Sequence, residues 1–221
     1  MTASVIYYTS NREKPDFERR VQETILNNCG GLPIISVSQK PIDFGKNICV
    51  GDVGVSGFNM FRQVEIACRE SKTDFVISAE ADCLYPPDYF NYYPYKEDVC
   101  YRNNNLYVMP DARDYFFEKK EGATHAQIVG REFYLKRLEY LFEDAPKWSV
   151  EEKNFPRERG LGVDVFDEVE YFSTDFPVFQ IKTHRGMRYY TRSDRTPVLE
   201  LPYWGHGKDV RKYYLYGYAP N

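Results

Sequence analysis

The sequence predicts an α/β protein whose central sheet is mostly parallel and whose C-terminal half is less regular. Short apolar segments alternate with amphipathic ones over the first ninety residues, the pattern of strands joined by crossover helices. The segment Phe75–Ala79 is a nearly continuous apolar run, as in a strand covered on both faces. The length of 221 residues suits one domain, so we expect a single domain over 1–221 with halves at 1–95 and 96–221.

The first half begins with a short β-branched and aromatic run, Ser4–Tyr8, which predicts a strand. A helix is expected to begin at Pro15, because proline suits the first helical position, and to end at Gly30-Gly31. A second strand over 32–37 follows, and a glycine-rich stretch leads into a second helix over about 58–71. The inner faces of the two helices repeat at helical spacing: Phe17, Val21 and Ile25, then Phe61, Val64 and Cys68.

The second half gives fewer regular patterns. The runs Val99–Tyr101 and Leu106–Val108 predict a hairpin with its turn over 102–105. Arg131–Phe142 has the spacing of a helix, and Val178–Lys182 is expected to be the last strand.

Composition and charge exclude some classes of function. The net charge is −4 and the isoelectric point near 5.5, which argues against nucleic-acid binding through bulk charge. The segment 182–221, however, carries eight basic residues against three acidic ones, interleaved with tyrosines. That mixture suits phosphate contacts and base stacking, and the alternative is a charged shell around a C-terminal subregion.

Cysteine usage and hydropathy predict a cytoplasmic protein. The five cysteines form no CxxC motif, so we expect free thiols in a reducing compartment. The N-terminus lacks the pattern of a signal peptide, and no apolar run approaches the roughly 18 residues of a membrane span.

Two carboxylates, Glu80 and Asp82, follow the apolar run Phe75–Ala79 with one residue between them. Strand alternation puts them on the same side, and ligands of parallel α/β sheets bind beyond the carboxyl ends of the strands. Close like charges are unfavourable unless a cation lies between them, and oxygen ligands suit Mg²⁺ or Mn²⁺. The pair predicts a divalent-cation site, the alternative being a solvated acidic loop without a function.

The segment that carries this pair reads Asp-Phe-Val-Ile-Ser-Ala-Glu-Ala-Asp-Cys-Leu-Tyr-Pro-Pro-Asp-Tyr-Phe over 74–90. It resembles the metal-binding segment of GT-A-fold glycosyltransferases, in particular a group of small bacterial and phage enzymes. Three further stretches, 5–12, 54–57 and 179–187, are similar to that family in the same order. Many members have Asp first in the Asp-x-Asp triplet, whereas this chain has Glu80.

The resemblance implies a GT-A-like, Rossmann-like domain and a set of site residues. The metal shell would comprise Glu80, Asp82 and His184, with His206 as the competitor of His184 and His125 expected to be structural. The donor nucleotide would contact Thr9, Asn11 and Arg12, with Asp52 and Arg62 as weaker candidates for the same pocket. If the reaction inverts the anomeric centre, the resemblance implies that its catalytic base is Asp164 or Asp167. The sequence does not distinguish inversion from retention.

The function implied is metal-dependent transfer of a sugar from a nucleotide-sugar, most simply a UDP-sugar, to an acceptor hydroxyl. One acceptor hypothesis is a 5-hydroxymethylpyrimidine of phage DNA in the host cytoplasm. The other is a cell-envelope saccharide or lipid-linked sugar. A non-catalytic sugar-nucleotide-binding module is the alternative of a different class, because fold does not determine function. A nucleotidyltransferase is disfavoured, because no glycine-rich, lysine-containing signature lies near the first strand.

Overall fold

The computed structural model describes residues 2–119, 122–151, 165–186, 193–194 and 196–218. The elements follow the order β1 (Ala3–Thr9), α1 (Pro15–Asn28), β2 (Ile34–Ser38), β3 (Lys46–Cys49), α2 (Gly57–Glu70), β4 (Phe75–Glu80), β5 (Cys83–Leu84), α3 (Pro87–Phe90), β6 (Cys100–Asn103), β7 (Leu106–Pro110), β8 (Phe117–Glu118), β9 (Gln127–Gly130), α4 (Arg131–Phe142), β10 (Val169–Phe172), β11 (Val178–Lys182), β12 (Glu200–Leu201), β13 (Gly205–His206) and α5 (Gly207–Tyr216).

Within the described residues the central sheet has seven strands in the order β10-β6-β9-β4-β1-β2-β3. Strands β3, β2, β1 and β4 are parallel to one another, and β9 runs antiparallel to both of its neighbours. The predicted fold class, α/β with a central and mostly parallel sheet, is confirmed.

The central sheet is covered on both faces, as the apolar run in β4 predicts. Val5 and Tyr7 of β1 belong to the core shared with α1, whereas Ile6 and Tyr8 belong to the core shared with α2 and α4. This alternation follows from the period of two in a strand. Burial of both faces leaves the ends of the strands as the place where polar side chains can meet a ligand.

A second sheet, in the order β5-β11-β7-β8, corrects the predicted hairpin. Strand β6 pairs in the central sheet, and β7 pairs with β11 and β8 in the second sheet. Amide side chains stabilise this crossing: Asn103 and Asn105 both donate hydrogen bonds to Thr174, at 2.7 and 2.9 Å. The expectation that β11 is the last strand was also wrong, because β12 and β13 follow it.

Local signals place the helices well. Helix α1 begins at Pro15, and Gly30 and Gly31 after it have φ angles of 61° and 77°, which favour glycine. Helix α2 is capped by the Ser56 side chain, which accepts a hydrogen bond from the Asn59 amide. Among the described helices, none combines the length and the apolar character that a bilayer crossing requires.

Candidate active site

A cleft that is open to solvent lies at the carboxyl ends of β1 and β4. Its lining includes Glu80 and Asp82, residues at the start of α2, and residues of the turn after β11. The structure therefore brings the two predicted acidic residues to one cleft at the expected edge of the sheet.

The carboxylates of Glu80 and Asp82 are each held by a donor from a different strand. Glu80 pairs in register with Tyr8, whose hydroxyl donates to its Oε1 at 3.0 Å. Gln180 of β11 places its amide nitrogen 3.0 and 2.9 Å from the two carboxylate oxygens of Asp82. The Cys83 thiol also donates to Asp82 Oδ1, at 3.3 Å. These donors fix the direction of both acids without neutralising their charge.

Burial and mutual repulsion perturb the acids around the cleft. Burial, with the negative charge of Asp82 as the next cause, raises the pKa of Glu80 to about 7. Burial also raises the pKa of Glu13 to about 7, and the Asp82 charge adds to this rise. Glu18, buried behind them beside Tyr7, has its pKa raised mainly by burial. Such crowding of acids favours a site that binds a cation.

The turn over 183–186 closes one side of the cleft. The Thr183 hydroxyl donates to Glu13 Oε1 at 2.7 Å, and Arg185 donates to the Arg12 carbonyl at 3.3 Å. A β carbon on Gly186 would lie 3.7 Å from Asp82 Oδ2 and 3.9 Å from Glu13 Oε1. These are ordinary van der Waals distances, so the turn lies close to both carboxylates and a side chain at position 186 would contact them. Sequence reasoning missed Glu13, because nothing local links it to a turn 170 residues away.

Of the three donor-loop candidates, Thr9 and Arg12 line the cleft. Asn11 has a left-handed φ of 52°, and its side-chain oxygen accepts a hydrogen bond from the Lys40 amide at 2.8 Å. It therefore shapes the loop and is not among the residues that line the cleft.

The weaker candidates Asp52 and Arg62 are not brought into the lining of the cleft. Asp52 is exposed and lies in the loop before α2. The Arg62 guanidinium lies over the Phe142 ring at 3.6 Å and donates to Glu65 at 2.9 Å. The contact with Phe142 connects α2 with α4.

The polar wall at the start of α2 includes Ser56, in the stretch 54–57 that the resemblance singled out, and Asn59 and Gln63, which the sequence reasoning did not assign. The Gln63 amide donates to the carbonyl oxygens of Thr9 and Val37, at 2.9 and 3.0 Å, and so fixes the end of β1 against α2. Ser56 and Asn59 line the same wall. The wall offers hydroxyl and amide groups, which suit recognition of a polar ligand.

The two candidate histidines lie in different parts of the fold. His184 is exposed, within the turn that contributes Arg185 and Gly186 to the cleft. His206 precedes α5, and its Nδ1 accepts a hydrogen bond from the Lys208 amide at 3.2 Å, as a helix cap. The position of the turn supports His184 over His206 as a residue near the cleft.

Of the two base candidates, Asp164 lies outside the residues that the structure describes. Asp167 is exposed, and its carboxylate accepts a hydrogen bond from Arg137 of α4 at 2.9 Å. It is not among the residues that line the cleft.

Comparison with known proteins leaves the family open. No protein-family model matches the sequence, and no curated protein matches it. Similar solved structures include a glycosyltransferase involved in glycosylation of the major capsid of PBCV-1, with 11% identity, a TM-score of 0.42 and coverage of 79% of this chain and 82% of that one. Bifunctional IspDF from Campylobacter jejuni has 10% identity and a TM-score of 0.41, over 79% of this chain and 50% of that one. S. aureus TarS has 10% identity and a TM-score of 0.45, over 82% of this chain and 37% of that one.

This chain thus spans half or less of the length of IspDF and TarS. Since the identities are near 10% and the TM-scores below 0.5, none of these likenesses carries an argument about chemistry.

Proposed function

We propose that this protein is a metal-dependent glycosyltransferase that moves a sugar from a nucleotide-sugar, with UDP-sugar as the first candidate, to an acceptor hydroxyl. One observation carries the proposal: Glu80 and Asp82 share a cleft at the carboxyl edge of a mostly parallel sheet, and both are oriented by donors. Ligands of open α/β sheets bind at this edge.

The residues present fit a divalent cation. Glu80 and Asp82 line one cleft, and burial together with the Asp82 charge raises the pKa of Glu80, a repulsion that a bound cation would relieve. Glu80 and Asp82 would hold Mn²⁺ or Mg²⁺, and His184 is proposed as a further ligand from the neighbouring turn. When bound, such an ion supplies positive charge that offsets the charge of a departing diphosphate.

The other cleft residues bind and orient the donor in this proposal. Arg12 and Arg185 line the cleft, and their guanidinium groups would contact the diphosphate. Thr9 and the wall formed by Ser56 and Asn59 would contact the nucleoside through hydroxyl and amide groups. For an inverting reaction, we propose Asp164 or Asp167 as the base that removes the acceptor proton. Loss of such a base should lower transfer about 10²–10⁴-fold.

Replacing Asp82 by Asn tests the proposal, with Asp52→Asn as the matched control. Asp52 is an exposed acid outside the cleft lining, so its loss should leave hydrolysis and transfer unchanged. Hydrolysis of UDP-sugars in Mn²⁺ is the assay, with donor binding measured in parallel. Asp82→Asn should abolish nearly all turnover and most of the metal dependence. Retained donor binding with no turnover in the unmodified protein would instead indicate a binding module.

The acceptor is proposed to be a hydroxymethylpyrimidine of DNA, with a saccharide or lipid-linked sugar as the rival. The basic, tyrosine-rich composition of 182–221 supports the DNA acceptor, because it suits phosphate contacts and base stacking. Stimulation of donor hydrolysis separates the two. Hydroxymethylated DNA should raise the rate while unmodified DNA and free sugars do not, and stimulation by sugars alone would overturn the DNA acceptor.

A further inference from the structure

A mixed cluster of metal-ligating side chains lies beneath the cleft. Glu80, Cys83 and His125 each offer one ligand atom, and these three atoms lie within 4.8 Å of one another. They come from the end of β4, from β5 and from the loop before β9, so that only the tertiary fold brings them together. We propose that these three side chains form a binding site for a single Zn²⁺ ion, separate in ligand chemistry from the all-oxygen pair that faces the donor.

The geometry is close to that of a metal site. Zinc bonds of about 2.0–2.3 Å in a tetrahedron put ligand atoms about 3.3–3.8 Å apart. The three atoms would therefore need to approach one another by at most about 1.5 Å, a shift that side-chain torsions can supply. A water molecule entering from the cleft can fill the fourth position.

A buried tyrosine holds the backbone of two of these residues in place. The Tyr85 hydroxyl donates to the carbonyl oxygen of His125 at 2.8 Å and accepts from the amide of Glu80 at 3.0 Å. Tyr85 is fully buried, so this bridge fixes the relative positions of the two segments.

The ligand set selects the metal. Thiolate, imidazole and carboxylate together suit zinc, whereas magnesium and manganese prefer oxygen ligands. Burial lowers the pKa of His125 well below its usual range, so that the imidazole is in the neutral form that binds metals. Burial also raises the pKa of the Cys83 thiol, so metal binding must release that proton to solvent.

The cluster has a consequence for the cleft because it shares Glu80 with the proposed donor site. Zinc bound at Cys83 and His125 would turn Glu80 away from a cation that faces the donor. We therefore expect Zn²⁺ to inhibit a Mn²⁺-dependent activity. The zinc site itself does not rest on the transferase proposal, since it can be measured without any substrate.

Cobalt titration of the chelator-treated, full-length protein tests the site. A thiolate bound to Co²⁺ gives an intense near-ultraviolet charge-transfer band, which an all-oxygen site cannot produce. We expect the band at one Co²⁺ per chain, its displacement by Zn²⁺, and its loss in Cys83→Ser. His125→Gln should weaken Zn²⁺ binding at least about tenfold, since loss of even an outer-sphere partner costs about 10–100-fold.

Cys68→Ser is the matched control, because Cys68 is equally buried but lies in α2. It should retain the band. If Cys83→Ser fails to fold, alkylation of the unmodified protein in mild denaturant replaces it: Zn²⁺ should protect Cys83 and leave the exposed Cys49 reactive. Absence of a charge-transfer band in the unmodified protein, or its persistence in folded Cys83→Ser, would overturn the site while leaving the transferase proposal untouched.

Discussion

Replacing Gln180 by leucine tests how the Asp82 carboxylate is held. Gln180 is only 5% exposed, and its amide nitrogen is the donor to both oxygens of Asp82. Leucine has a similar volume, so the change removes the amide with little loss of packing. A hydrogen bond to a charged group contributes about 1.5–3 kcal/mol, which for a chain of this size corresponds to a melting temperature about 3–12 °C lower.

A double-mutant cycle with Gln180→Leu and Asp82→Ala isolates this interaction from the packing of either side chain. Urea unfolding in EDTA at neutral pH gives the free energy of unfolding of the four proteins. We expect a coupling energy of about 1.5–3 kcal/mol between the two positions. A coupling energy below about 0.5 kcal/mol would refute the reasoning that the amide holds a charged Asp82.

Gln63→Leu is the control for the cycle. Gln63 is also a buried amide with two hydrogen bonds, but its acceptors are the neutral carbonyl oxygens of Thr9 and Val37. The change should destabilise the fold and show no coupling to Asp82→Ala, because the two residues share no partner. Equal coupling for Gln63 and Gln180 would mean that the cycle reports general loosening of the cleft.

Three further outcomes are expected. Gly130→Ala should lower the free energy of unfolding by about 3 kcal/mol or more, because the added β carbon would overlap the carbonyl oxygen of Glu97. Gly31→Ala should lower it by about 1 kcal/mol, because Gly31 has a φ of 77° but open space around it. Equal losses for the two variants in urea unfolding would contradict this reasoning. Burial raises the pKa of Glu13 from 4.5 to about 7, so between these values the folded state holds a proton that the unfolded chain has lost. The free energy of unfolding, measured in EDTA, should therefore fall as the pH rises through this window, and Glu13→Gln should make that fall smaller. The same pH dependence in Glu13→Gln as in the unmodified protein would contradict this assignment to Glu13. Asp167→Asn should change the free energy of unfolding by less than about 1 kcal/mol, since its ion pair is exposed, and a larger loss in urea unfolding would show that the pair supports the fold.

The sequence alone predicted the elements whose signals are local. Helix α4 and strand β11 have the predicted bounds, and α1 begins at Pro15, because helical spacing, proline and glycine act within one element. The predicted hairpin was wrong because local signals do not specify which strands pair. Strands β6 and β7 are neighbours in the chain, but their partners are distant strands of two different sheets. Strand pairing depends on long-range contacts that a local pattern does not contain.

Some features of the candidate site were likewise predictable from the sequence, and others depend on the tertiary structure. The sequence by itself placed Glu80 and Asp82 at the end of a buried strand, because a run covered on both faces must end where polar groups can reach solvent. Only the tertiary structure decided what surrounds them, since Gln180 lies 98 residues from Asp82 along the chain. The approach of His125 to Glu80 likewise depends on β9 pairing beside β4. Packing joins distant segments, and the contacts it creates determine whether a pair of acids is a solvated loop or a site that can bind a cation.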